Sequence, residues 1–184
     1  MIEYPSPVLS PEEFELVAKQ ILDAESSSLQ DYRSNHKETI VGSDGEYEFD
    51  VTVRFSAMGA NYLTLVECKH YKHRVKREVV QTLLAKIQST GAHKGIVFST
   101  ADFQSGAIEF AKSHGIALVR LADGRSCYLV KMRTKDMDLI PWEMVPSYIP
   151  RVVGWVIDGN TMSRISNEEG RRLRDLLPGV VPNR

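Results

Sequence analysis

From Glu46 to Phe55 the chain alternates without a break. Tyr47, Phe49, Val51, Val53 and Phe55 occupy the odd positions, and Glu46, Glu48, Asp50, Thr52 and Arg54 the even ones. A period of two over that length specifies a β-strand with one apolar face, the odd positions turned to the core. Asp44-Gly45, just before it, is a hairpin turn signal, so a strand lying somewhere between Tyr32 and Val41 is expected to pair with it antiparallel. Ser56–Asn61, with Gly59, supplies the next turn and returns the chain as a third strand from Tyr62 to about Lys69.

Helical spacing brackets this meander. Ser10 is placed to cap a helix, Pro11 suits its first position, and Glu13 completes a Ser-x-x-Glu capping box. Phe14, Val17, Ala18, Ile21 and Leu22 then form one apolar stripe, with Glu15 on its border. After the third strand, Val75, Val79, Val80, Leu83, Leu84 and Ile87 mark a second helix that Gly91 stops. Gly95–Thr100 is a short strand covered on both faces, followed by a helix from about Gln104 to Ser113 and a strand at Ile116–Val119. Helix, three strands, helix, strand, helix, strand describes an α/β fold with a mixed sheet, antiparallel early and crossing over right-handedly late. Beyond Arg120 the pattern changes. Cys127–Val130 and Trp155–Ile157 read as short strands, Pro141, Pro146 and Pro150 forbid a long helix, and Ser166 with Glu169 opens a last helix to about Leu177. Its Arg171, Arg172 and Arg174 are expected to pair with Glu168, Glu169 and Asp175, contact with phosphate being the alternative. A core over residues 1–121 and a C-terminal accessory lobe over 122–184, packed on the sheet, are expected.

Composition narrows the function classes. Hydrophobic residues at 42% and charged residues at 26% exclude wholesale disorder. Twenty-three Lys and Arg against 24 Asp and Glu leave a net charge of −1, so binding to a polyanion must come from local clustering. Two cysteines, Cys68 and Cys127, fit a reducing compartment and make no disulfide framework. No basic segment followed by an apolar one opens the sequence, and no run approaches ~18 apolar residues, so a soluble cytoplasmic chain without a membrane partner is expected. There is no Gly-x-x-x-x-Gly-Lys loop or dinucleotide fingerprint, so no nucleotide cofactor is expected.

The chemistry lies in the third strand. Leu63, Leu65, Glu67 and Lys69 share one side, which begins as core and ends in a carboxylate and an ammonium. Asp50 lies on the polar side of the preceding strand, and a hairpin of this size brings it towards Glu67. Two converging acids are hard oxygen ligands for Mg²⁺, which takes one or two carboxylates, waters and substrate phosphate. An adjacent lysine can hold or deprotonate an attacking water and offset charge as a phosphodiester breaks. Any charged surface strand can carry an Asp and a Glu-x-Lys. What favours a site is the apolar face that Glu67 and Lys69 continue. The segment after it is also unusual: Lys69, Lys72, Arg74, Lys76 and Arg77 gather at the start of a helix, where acids are ordinarily preferred. A phosphate backbone rewards that placement. Zinc binding through His70 and His73 lacks a second ligand pair of suitable spacing.

These residues resemble the Mrr-type restriction endonucleases, a branch of the nuclease superfamily with an Asp…Glu-x-Lys site. The resemblance runs from Ser10 to Leu121, through Phe14-Glu15, Glu48-Phe49-Asp50-Val51, Val66-Glu67-Cys68-Lys69, Val80-Gln81, Gly95–Thr100, Phe103 with Ala107 and Ala111, and Gly115–Val119. It implies a restriction-endonuclease-like core, a mixed central sheet flanked by helices, that cuts DNA with Mg²⁺, for which Mn²⁺ substitutes. By motif, Asp50 and Glu67 become the metal ligands and Lys69 the water-positioning group, with Glu15 from the first helix and Gln81 from the second as further site residues. Lys72, Arg74, Lys76 and Arg77 become DNA contacts, and Cys68 a buried small hydrophobe on the opposite face. Family members commonly carry a DNA-reading domain before the core, where this sequence has about nine residues. Recognition is therefore sought in the tail, a homodimer or a separate recognition subunit, with its absence the remaining alternative. Two other readings remain: a repair or junction-resolving nuclease, and a non-catalytic DNA-binding or assembly module on the same fold.

Overall fold

In a computed structural model, residues 7–24, 26 and 29–123 are described, together with the backbone of two later strands. The elements are α1 (Pro11–Ala24), β1 (Gln30–Val41), β2 (Glu46–Ala57), β3 (Ala60–Lys69), α2 (Arg77–Thr90), β4 (Lys94–Ser99), α3 (Ser105–Ser113), β5 (Ala117–Asp123), β6 (Val152–Asp158) and β7 (Thr161–Ile165). The capping box forms as read: Ser10 N–H donates to Glu13 Oε2 at 2.7 Å, and Glu13 N–H donates to Ser10 Oγ at 3.2 Å.

The described strands join one sheet whose spatial order follows the chain, β1 to β7. β1, β2 and β3 are antiparallel, β3, β4 and β5 parallel, and β5, β6 and β7 antiparallel. The two crossovers, β3 to β4 through α2 and β4 to β5 through α3, step in the same direction and put α2 and α3 on one face, as crossovers of one hand do. α1 covers the other. The α1 layer packs Phe14, Ala18 and Leu22 on Val51, Val53, Val66, Ile96, Phe98 and Val119. The opposite layer packs Val80, Leu83, Ala107 and Ala111 on Phe49, Leu65, Val97 and Leu118. With both faces covered, Thr52 is fully buried although it stands at an even position of β2.

β1 had the weakest sequence signal, and charge holds it in place. Glu38 accepts two hydrogen bonds from Arg54, at 2.7 and 2.9 Å, and another from Thr52. The Arg54 guanidinium, aided by Asn35 and Thr52, outweighs partial burial and pulls the Glu38 carboxyl down to about 2. The strand expected at Trp155–Ile157 lies within β6, and β7 was not anticipated, although Asp158-Gly159 is a turn signal. The described part of residues 122–184 therefore extends the sheet edge. The strand expected at Cys127–Val130 and the helix opened by Ser166 lie outside the described residues. No described helix is long and apolar enough to cross a membrane.

α2 packs tightly against β4 at Gly95. A Cβ there would lie 2.5 Å from Ile87 Cδ1 and 3.1 Å from Leu83 Cδ2. Gly95→Val is expected to cost about 1–3 kcal/mol by overpacking, a fall of several degrees in melting temperature at roughly 2–4 °C per kcal/mol for a chain this size. An unchanged thermal melt would show that α2 is not seated this tightly.

Candidate active site

β2 and β3 are paired from Ala57 and Ala60 as far as Val51 and Val66. One step further stand Asp50 and Glu67. Residues two apart on a strand ordinarily share a face, yet Val51 packs in the α1 layer and Phe49 in the α2 layer. β2 thus turns over at Asp50. The Asp50 side chain enters the gap so formed, where its Oδ2 accepts the Cys68 N–H at 2.6 Å. Alternation alone had grouped Phe49 with Val51.

On the α2 side of the gap, Glu67 Oε1 accepts from Lys69 Nζ at 2.7 Å, and Glu67 Oε2 accepts from Lys86 Nζ at 3.2 Å. All three side chains are largely buried. On the other side, the start of α1 meets the end of β3, with the Phe14 ring edge-on to His70 at 5.9 Å. Glu15 lies here, 15% exposed, bound to His36 Nε2 at 2.8 Å, with Lys37 Nζ 3.8 Å away. Glu15 and Glu67 thus approach Asp50 from opposite faces of the sheet.

The charges act on one another. Burial is the main influence raising the Asp50 carboxyl above its ordinary value; the Cys68 N–H opposes this, while the negative charges of Glu67 and Glu15 add to it. Burial would lower the Lys69 ammonium, but the hydrogen bond to Glu67 and the charges of Glu67 and Asp50 outweigh it, and the ammonium titrates above its usual range. Lys69 therefore stays charged at neutral pH. Cys68 packs against the α1 layer, facing away from Glu67, and burial pushes its thiol up. It is a packing residue, not a nucleophile.

Gln81 is exposed on α2, and among the described residues no hydrogen bond or ion pair joins it to Asp50, Glu67 or Lys69. Lys86, which does reach Glu67, was missed in the sequence. The available signal was its place beside the apolar stripe, three residues after Leu83 and seven after Val79.

The cationic segment after β3 is tied to the loop between β4 and α3. Thr100 N–H donates to the Lys69 carbonyl at 3.2 Å and Thr100 Oγ1 to that of Tyr71 at 3.0 Å. Buried Val75 bridges Phe103 and binds the backbone of Asp102 and Gln104. Lys72, Arg74, Lys76 and Arg77 remain exposed, with Arg77 stacked 4.9 Å over the Phe110 ring. No side chain caps the start of α2, a setting that suits an anion.

A paired Glu-x-Lys at the mouth of a splayed hairpin, on a mixed sheet between helices, defines a restriction-endonuclease-like α/β protein. The sequence comparison agrees: residues 8–126 match the family model Mrr_cat, described as restriction endonuclease. The chain belongs to this family. No curated protein matches it. Two solved structures are similar in part. One is a protein of unknown function, AF1548, with 19% identity, a TM-score of 0.48, and 58% of this chain and 55% of that one covered. The other is the DNA modification-dependent restriction endonuclease AspBHI, with 20% identity, a TM-score of 0.42, and 59% of this chain but only 28% of that one covered.

Proposed function

We propose that the chain is a divalent-metal-dependent DNA endonuclease of the restriction or defence kind. The observation that carries this is the placing of Asp50, Glu67 and Lys69 together where β2 and β3 part, in a chain of the Mrr catalytic family. Asp50 and Glu67 would hold Mg²⁺, or Mn²⁺ in its place. Among the described residues no group of three or more His, Cys, Asp or Glu side chains is arranged to hold a metal. Two carboxylates, with waters and phosphate completing the shell, are what Mg²⁺ ordinarily takes. The donor set fits in a second respect: burial first, and then the negative charges of Glu67 and Glu15, raise the Asp50 carboxyl, and a cation relieves that crowding of charge. When bound, the ion would supply charge neutralisation at the scissile phosphate and an activated water.

The chain's own groups do the rest. Lys69, kept protonated by its neighbours, donates to the attacking water or to a phosphate oxygen and offsets the growing negative charge. Glu67 orients that ammonium. Lys72, Arg74, Lys76 and Arg77 lay the DNA backbone along the segment beside the site. Cutting both strands needs two such sites, which a homodimer provides, and sequence recognition falls to residues 122–184 or to a separate subunit.

The test is incubation of the purified chain with supercoiled plasmid, unmodified and methylated, in Mg²⁺ or Mn²⁺. Nicked and linear products that vanish with chelator are expected. Linear duplex, a four-way junction and single strands run in parallel, and strong preference for the junction would make the chain a resolving nuclease instead. No cleavage of any form would contradict the activity.

Binding alone gives a further expectation. Replacing Lys72 and Lys76 by Ala removes two exposed phosphate contacts, each worth about 0.9 in the slope of log K against log salt. In metal-free buffer the slope for non-specific duplex should fall in magnitude by about 2. An unchanged slope would place the DNA elsewhere.

A further inference from the structure

Each oxygen of Glu67 carries its own ammonium, Lys69 on Oε1 and Lys86 on Oε2. Lys69 belongs to the Glu-x-Lys strand. Lys86 reaches in from α2, only 18% exposed, and its ammonium also lies 5.3 Å from the centre of the Phe49 ring. Phe49 faces α2 because β2 turns over at Asp50. The irregularity that opens the gap thus also builds a seat for a second amine. A lysine that merely decorated the helix would extend its charge to water.

A small divalent ion sits about 2 Å from a carboxylate oxygen. An ammonium near 3 Å from the same oxygen would then face a double positive charge in a poorly solvated place, and the two repel strongly. One amine must yield. The Lys86 hydrogen bond is the longer, at 3.2 Å against 2.7 Å, and the face of Phe49 offers its ammonium a nearby resting place.

We infer that Lys86 is a resident counter-ion of Glu67, which a divalent ion displaces on entry, and that it thereby sets the metal concentration at which the site fills. This rests on the reading of Glu67 as a metal ligand. Lys86 acts through Glu67 and is a positioning residue. Without it, metal entry breaks one charge-assisted hydrogen bond fewer, and binding tightens by about tenfold, the lower end of what such a bond is worth.

Calorimetric titration of Mn²⁺ into the metal-free chain tests this, with a thermal melt of each variant to establish folding. Lys86→Met, whose flexible thioether still packs on Phe49, should bind Mn²⁺ about tenfold more tightly than wild type. Lys86→Arg should bind near the wild-type value, and Glu67→Gln should lose binding. A merely structural lysine would lower stability without tightening the metal. Unchanged or weaker binding in Lys86→Met, with binding still lost in Glu67→Gln, overturns the counter-ion role and leaves Glu67 a ligand. Wild-type binding in Glu67→Gln removes the metal reading itself and this inference with it. Should Lys86→Met not fold, Lys86→Gln replaces it. There, tightening supports the inference and a wild-type constant overturns it.

Discussion

Asp50→Asn is expected to abolish cleavage and, at the same time, to raise the melting temperature of the metal-free chain. The two effects have one cause. Asp50 is held in the gap between β2 and β3, where burial first, and then Glu67 and Glu15, disfavour its ionised form. A carboxyl whose folded pKa lies above its unfolded value, about 3.9, weakens the fold once the pH rises past that value. At neutral pH the ionised group is a net cost. Asparagine removes the charge, and its carbonyl oxygen still accepts the Cys68 N–H. A gain of about 1 kcal/mol is in line with relieving a strained functional site, or roughly 2–4 °C for a chain this size. The advantage should shrink as the pH is lowered towards the ordinary carboxylate range, where wild-type Asp50 takes up its proton. Cleavage should fall at least about 10³-fold, since several kcal/mol of charge stabilisation go with the lost ligand. Thermal melts across pH in chelator, beside plasmid nicking in Mg²⁺, check both halves. A lower melting temperature at neutral pH would mean that the Asp50 charge is well satisfied. Undiminished nicking would remove it from the mechanism.

The second large effect is at Lys69. Removing one preorganised donor to a developing oxyanion typically costs about 10²–10³ in rate, and Lys69→Met should lose at least that in single-turnover nicking. Glu67 keeps Lys86 in this variant, so the fold should survive and the loss should appear in rate, not in melting temperature. Lys69→Arg keeps the charge but replaces a compact ammonium with a planar fork, so it should recover only part of the rate. Equal nicking by wild type and Lys69→Met would leave the strand's Glu-x-Lys pattern without a catalytic role.

Much of this was legible in the residues. The stripes of α1 and α2, the turns at Asp44-Gly45 and Gly59, and the apolar run of β4 each declare an element through period or composition, because tertiary packing there agrees with local pattern. The shared face of Glu67 and Lys69 follows from period two alone. The turning over of β2 does not. Phe49 and Val51 are both apolar because both faces of the sheet are covered, so alternation cannot distinguish a strand that keeps its face from one that changes it. Nor does periodicity tell which flank of α2 meets Glu67, and Lys86 was therefore passed over while Gln81 was kept for its resemblance. Glu15 stood out at the border of its stripe, but its partner His36 lies on β1, whose pairing depends on Glu38 and Arg54 across the sheet and leaves little trace in β1's own pattern.

The central claim is that Asp50 and Glu67 share a divalent ion. A crystal of the chain soaked in Mn²⁺ and measured for anomalous scattering addresses it directly. The expected result is a single strong peak in the gap between β2 and β3, about 2 Å from one oxygen of each carboxylate, with the Lys86 ammonium withdrawn onto Phe49. Saturating Mn²⁺ with no peak there, or a peak that touches neither carboxylate, would contradict it.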